Sequence, residues 1–223
     1  MEDYTTARTK MVDNQLRTQS VTDYDLLAAM GTVPREQFLL PASRPLAYID
    51  SDLLLKAATA DAPARYMMEP APLARLMQLA EVDTSDVVLV VGCGTGYSAA
   101  VLARLANSVV ALEEDADLAA QASETLTELE VDNVAVVTGS LEAGYPSEAP
   151  YDVIFVDGAV EVVPTTLLDQ LKDGGRLVAV VGYGRSAAAT LFRRSGDDVG
   201  SWVAFDADVQ PLPGFRRPKV FVF

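Results

Sequence analysis

The sequence contains no histidine and only one cysteine, Cys93. Without histidine, the side chain most often used as a general base near neutral pH is missing, so any chemistry must proceed without it. A lone thiol cannot form an internal disulfide, and without imidazole it is a poor start for a zinc or iron site, so no metal is expected. No run of 18 apolar residues and no basic-then-apolar leader is present, so neither a membrane span nor an export signal is expected and the chain reads as cytoplasmic. Basic residues are scarce, 17 Lys and Arg against 32 Asp and Glu, for a net charge of −15. Such a surface repels polyphosphates, which disfavours nucleic acid as a partner. What the chain does have is 223 residues, half of them hydrophobic, enough for one domain with a sizeable core.

Residues 5–19 read as a helix carrying Met11, Val12 and Leu16. Thr22 opens a Thr-Asp-Tyr-Asp box that suits a helix start, with Leu26, Leu27 and Met30 following on one face. Pro34 and Pro41 break residues 31–48 into irregular structure or short helices, and residues 50–66 stay unassigned. From Pro70, Leu73, Leu76, Met77 and Ala80 repeat with helical spacing, and the prolines are tolerable because they fall in the first turn.

Beyond residue 86 the pattern changes. Short apolar runs at 87–91, 109–112, 134–137, 153–156 and 176–181 alternate with helical stretches at 97–106, 116–129 and 165–171. Buried strands alternating with helices predict a parallel sheet covered on both faces. Residues 202–205 and 219–223 read as tail strands that add an antiparallel edge. The expectation is an α/β, Rossmann-like, doubly wound, mostly parallel seven-stranded sheet with an antiparallel edge and an N-terminal helical extension. It forms a single domain over 1–223, with the extension at 1–69 on the substrate side and the ligand-binding core at 70–223. Ligands meet such sheets at the carboxyl ends of the strands.

The strongest motif is Val87-Val-Leu-Val-Val-Gly92-Cys93-Gly94-Thr95-Gly96-Tyr97, a buried strand running into three alternate glycines and then a helix. Glycine permits positive φ and lets a ligand approach bare backbone, and the helix start offers free N–H groups. The nicotinamide fingerprint needs glycine where this chain has Tyr97, so the loop suits a ligand without a pyrophosphate, such as S-adenosyl-L-methionine. Glu113, 21 residues past Gly92, directly follows the second apolar run and is placed to accept both hydroxyls of a ribose. Glu114 and Asp115 are adjacent, so the acceptor's register is open by one or two positions. Ser140 and Leu141, after the third run, fall near the adenine side. Asp157, after the fourth, falls where a cofactor amine or a substrate would lie. Cys93 fits the loop as a small residue rather than as a nucleophile, since no histidine is present to activate it. Tyr97 is expected to pack over the loop. Arg65 is expected on the surface, or facing a substrate carboxylate.

The sequence resembles the protein-L-isoaspartate O-methyltransferase family over about residues 10–185. The resemblance rests on the glycine loop and on Met11-Val-Asp-Asn-Gln-Leu-Arg17, Val33-Pro-Arg-Glu-Gln-Phe38, Leu46-Ala-Tyr-Ile-Asp50, Ala149-Pro-Tyr-Asp152 and Leu171-Lys-Asp-Gly-Gly-Arg-Leu177. It implies methyl transfer from S-adenosyl-L-methionine to the free carboxylate of L-isoaspartyl residues in protein or peptide substrates. A carboxylate is already ionised at neutral pH, so the missing histidine is no obstacle. The chain departs from the family pattern at four places. Met68, beside Glu69, stands at the catalytic position of a serine. Val90 replaces an acid before the loop, Ser140 replaces an aspartate, and Asp157-Gly-Ala replaces Thr-Ala-Ala. The resemblance thus implies retained cofactor binding with altered contacts, at a catalytic position lacking its hydroxyl. Two rival readings follow: a different, small-molecule acceptor, or a non-catalytic module that binds S-adenosyl-L-methionine. An oxidoreductase is the remote alternative.

Overall fold

The computed structural model describes residues 4–60 and 62–216. The N-terminal extension starts with helix α1 (Tyr4–Met11), which runs on through a π-helical turn (Val12–Leu16) and a 3-10 turn (Arg17–Gln19). Helix α2 (Tyr24–Thr32) is capped by Asp23, whose carboxylate accepts from the Leu26 amide at 3.0 Å. The cap therefore lies one residue after Thr22, where the Thr-Asp-Tyr-Asp box placed it. The physical reason is that the Thr22 and Asp23 amides both donate to the Gln78 side chain, at 2.7 and 3.0 Å, which fixes the chain ahead of the cap. The carboxylate of Asp23 then meets the positive end of the helix. Short 3-10 helices at Arg35–Phe38 and Pro41–Leu46 follow, as the prolines suggest.

The unassigned stretch forms a two-stranded antiparallel sheet, β1 (Leu53–Lys56) paired with β2 (Arg65–Met67). The extension is thus helical only up to residue 46. Helix α3 (Pro70–Ala80) then leads into the core.

The core is a seven-stranded sheet of order β5-β4-β3-β6-β7-β8-β9. Strands β3 (Val87–Val91), β4 (Ser108–Glu113), β5 (Val134–Thr138), β6 (Tyr151–Val160) and β7 (Leu171–Val181) are parallel, while β8 (Ala188–Ser195) and β9 (Asp198–Asp206) form an antiparallel hairpin at one edge. Along β3, Val88 and Val90 enter one apolar cluster with α3, α4 (Tyr97–Ala103) and the N-terminal helices; Leu89 and Val91 enter the other with Leu112, Ile154 and Leu167. A strand buried on both faces is why that segment reads as an unbroken apolar run. Helix α5 (Ala116–Glu128) turns Leu126 into the first cluster.

Three details differ from the sequence reading. The helix expected over 165–171 is the single turn α6 (Thr165–Leu168), because Leu171 already pairs with Tyr151. Strand β7 runs through Gly174-Gly175 rather than starting at Arg176. The antiparallel edge is β8 with β9; β8, with two alanines at its start and two arginines near its end, carries little strand signal. The expected strand at 219–223 lies outside the described residues. No helix among the described residues is long and apolar enough to cross a membrane.

The chain winds from β3 through β4 to β5 at one edge, then returns to β6 beside β3 and proceeds the other way. The carboxyl ends of β3 and β6 therefore flank the switch point, where open α/β sheets bind ligands.

Candidate active site

The glycine loop leaves β3 at this switch point. Gly92, Gly94 and Gly96 all have positive φ, at 80°, 56° and 96°. The amides of Gly92 and Cys93 donate to the Leu112 carbonyl at 2.9 and 3.2 Å, tying the loop to β4. From the other side, the Thr95 hydroxyl donates to the Phe38 carbonyl at 2.7 Å. Tyr97 is buried edge-on against Phe38 and lies beneath the Arg35 guanidinium, 4.8 Å from the ring centroid. The loop is thus held both by the sheet and by the N-terminal extension. Cys93 is buried, and desolvation next to Glu113 and Asp157 pushes its thiol well above its ordinary range, which is no state for a nucleophile.

Glu113 ends β4 fully buried. One oxygen accepts from the Gly94 amide at 2.8 Å; the other accepts from the amides of Glu114 and Asp115 at 3.0 and 3.1 Å. Arg65, from β2, closes on both oxygens at 2.5 and 2.8 Å. Arg65 is therefore neither a surface residue nor a cation free to face a substrate: it is 5% exposed and paired with Glu113. The three adjacent acids separate cleanly. Asp115 caps α5 through the amides of Asp117 and Leu118 and pairs with Lys56. Glu114 is exposed. Glu113 alone faces the glycine loop.

Asp157 sits in β6 where the pairing with β7 slips, between Phe155 and Ala159. Burial raises its carboxyl to about 6, against the opposing pull of the Ser98 hydroxyl, Arg65 and Arg35. Met68 is buried, and its carbonyl accepts from Arg35 at 2.6 Å; the same guanidinium donates to the Ala47 carbonyl at 2.8 Å. Glu69 is partly buried, and burial together with Asp52 and Asp50 raises its carboxyl. Ser140 is exposed and Leu141 is buried; both follow Gly139, whose amide donates to the Glu113 carbonyl at 3.1 Å.

Met68, the glycine loop, Ser98 and Asp157 meet around a cavity of about 10 Å³ that Leu55 and Tyr66 also line. Next to it opens a cleft of about 690 Å³, lined among others by Thr59, Pro63, Glu114, Leu212 and Arg216. Ligand pockets run to about 300–1,000 Å³, so the inner cavity is shut and the outer cleft is open. What shuts it is the protein's own apolar side chains. A Cβ on Gly94 would meet Leu55 Cδ1 at 2.8 Å, and one on Gly92 would meet Leu212 Cδ2 at 2.7 Å. The bare glycine backbone and the buried acceptor suit a nucleoside bearing a ribose diol once Leu55 and Arg65 move aside.

The structure thus brings the sequence-predicted loop, Glu113, Met68 and Asp157 to one end of the sheet. Ser140 is exposed and Leu141 lies in the core, and neither lines the cavity or the cleft. Sequence reasoning missed Leu55 and Leu212, which no local pattern marks. It also missed Arg35 as a buried member, although the Val33–Phe38 segment contains it. Among the described residues, no group of three or more His, Cys, Asp or Glu is arranged to hold a metal ion.

The model of the protein-L-isoaspartate(D-aspartate) O-methyltransferase family matches residues 6–205. A protein-L-isoaspartate O-methyltransferase of Koribacter versatilis is 37% identical over 207 residues, covering 93% of this chain and 90% of that protein. Protein-L-isoaspartate O-methyltransferase 2 of Shewanella sediminis is 36% identical over 214 residues, covering 96% and 85%. A solved protein-L-isoaspartate O-methyltransferase superposes with a TM-score of 0.79 at 30% identity, over 93% of this chain and 66% of that one. A Plasmodium falciparum structure in complex with S-adenosyl-L-homocysteine shares the fold, with a TM-score of 0.74 at 19% identity over 91% of this chain and 96% of that one. The chain belongs to the protein-L-isoaspartate(D-aspartate) O-methyltransferase family.

Proposed function

We propose that the protein transfers a methyl group from S-adenosyl-L-methionine to the free carboxylate of L-isoaspartyl residues in proteins and peptides. The observation that carries this reading is the glycine loop at the switch point facing buried Glu113, in a chain of this family. S-adenosyl-L-homocysteine, the product of such a transfer, in the Plasmodium falciparum neighbour supports the choice of cofactor.

The cofactor supplies an electrophilic methyl group; the residues of the chain bind, orient and exclude water. Glu113 accepts the ribose hydroxyls. The loop 92–97 gives close backbone approach, Glu114 flanks the nucleoside from the cleft side, and Ser140, exposed after β5, is the candidate adenine contact. Asp157, at the carboxyl end of β6, faces the amine end of the cofactor. An isoaspartyl carboxylate with a pKa near 4 is already anionic at neutral pH and needs no base to attack a methyl carbon. The task left to the chain is alignment of oxygen, carbon and sulfur, which positioning alone can accelerate greatly. Leu212, packed against Gly92, keeps water from the reacting groups. In this reading residues 70–223 hold the cofactor, 1–69 form the substrate side of the same domain, and the protein works in the cytoplasm.

A second reading, a small-molecule acceptor, is favoured by Met68, whose apolar side chain offers no hydrogen bond to a carboxylate. Transfer of labelled methyl to an isoaspartyl peptide, against the normal aspartyl peptide, separates the two.

A further inference from the structure

The β1–β2 hairpin lies across the loop as a strap pinned through both strands. In the ladder, Lys56 of β1 stands opposite Arg65 of β2. Lys56 pairs with Asp115 at 2.6 Å and Asp117 at 2.9 Å. Arg65 grips Glu113 at 2.5 and 2.8 Å. Two cations on one ladder step therefore bolt the strap to acids on both sides of the β4–α5 turn, and Leu55, next to Lys56 in β1, covers Gly94.

The occupancy of Glu113 gives this arrangement a consequence. A carboxylate offers about four lone-pair sites. Here they already receive three backbone amides and two guanidinium N–H groups. Two of the amides, of Glu114 and Asp115, belong to the turn that follows β4 and the third, of Gly94, to the glycine loop, so none can leave without rearranging the backbone there. The guanidinium arrives from a separate two-stranded sheet. The cavity at the loop is only about 10 Å³, and Leu55 and Tyr66 of the same strap line it. A ribose diol can reach Glu113 only by taking the place of Arg65.

We infer that Arg65 is a latch that competes with the cofactor's ribose for Glu113, so that cofactor entry requires the strap, with Leu55, to swing off the loop. This rests on the proposed role of Glu113 as the ribose acceptor. The closed strap is a binding-incompetent state, and apparent affinity falls in proportion to its population. Weakening either bolt raises the open fraction and tightens binding. The two bolts differ in exposure. The Lys56 side chain is about one-third exposed, so salt screens it, whereas the Arg65–Glu113 pair is buried and resists screening.

The test is calorimetric titration of S-adenosyl-L-homocysteine into the full chain, comparing wild type, Arg65→Met and Lys56→Met at low and high salt. Arg65→Met keeps the side chain's bulk while removing its charge, and is expected to bind roughly tenfold tighter. Lys56→Met, which leaves Glu113 untouched, should tighten binding by a smaller factor, and high salt should tighten wild type. Should Arg65→Met fail to fold, Lys56→Met and the salt series decide. Binding by Arg65→Met alone supports the latch. Wild-type binding with unchanged or weaker binding in the variants overturns the latch and leaves the proposed function standing. No binding by any of the three overturns both.

Discussion

Arg65 and Glu113 form a buried, bidentate ion pair between the N-terminal strap and the carboxyl end of β4, at 2.5 and 2.8 Å. Breaking such a pair from one side leaves a buried charge without its partner, which costs about 3–5 kcal/mol. The two sides are not equivalent. Glu113→Gln leaves the Arg65 guanidinium buried without a counter-charge, with one amide oxygen and a 3.4 Å contact to the Gly92 carbonyl as its acceptors. Arg65→Met leaves Glu113 with three backbone amides. Thermal unfolding should show Glu113→Gln as the more destabilised variant, by about ten degrees relative to wild type, and Arg65→Met as much milder. Equal losses would mean that the amides contribute little to holding the carboxylate.

Gly94 and Gly174 separate ligand approach from backbone strain. Both have positive φ, but a Cβ on Gly94 meets Leu55 whereas one on Gly174 meets nothing within 4 Å. Alanine at either site should cost about 1–2 kcal/mol through φ alone. Only Gly94→Ala, and more strongly Gly94→Val, should weaken binding of S-adenosyl-L-homocysteine. Normal binding by a folded Gly94→Val protein would move the site elsewhere.

Asp157 gives a pH signature. Its folded-state carboxyl stands near 6 rather than the ordinary 3.8, chiefly through burial. A raised carboxyl favours the folded state while protonated, and that contribution is lost as pH rises through about 6. Asp157→Asn, which cannot ionise, should therefore be more stable relative to wild type at about pH 7.5 than at about pH 4.5. The expected difference is about 1–3 kcal/mol by denaturant unfolding. A difference independent of pH would show that Asp157 is solvated.

Met68 is buried, but its bond to Arg35 runs through the backbone carbonyl, so a side-chain change leaves that contact intact. Met68→Ser should cost about 2–4 kcal/mol of stability for the lost apolar volume. If the acceptor is a carboxylate, the new hydroxyl should raise kcat/KM for an isoaspartyl peptide by about two- to tenfold, the worth of one hydrogen bond. A fall in activity at full folding would favour the small-molecule reading.

The sheet was legible because its strands are buried on both faces: Val87–Val91 and Val153–Val156 read as apolar runs whatever surrounds them. The loop and Glu113 were legible because glycine spacing and the distance to the next strand end are local facts. The strap was not. Leu53–Lys56 and Arg65–Met67 are short, separated by a longer loop, and owe their conformation to the pairing with each other and to the acids beyond β4. Arg65 illustrates the point, since one arginine in a polar stretch looks like surface until its partner, 48 residues away, is brought to it. Leu55 and Leu212 are ordinary leucines until the fold sets them against glycines.

The most direct measurement is methyl transfer from labelled S-adenosyl-L-methionine to an isoaspartyl peptide, with the normal aspartyl peptide as control and calorimetry confirming that the same sample binds S-adenosyl-L-homocysteine. The proposed function predicts label on the isoaspartyl peptide alone, lost in Glu113→Ala. Cofactor binding without transfer to that peptide would contradict it and point to a different acceptor or to a binding module.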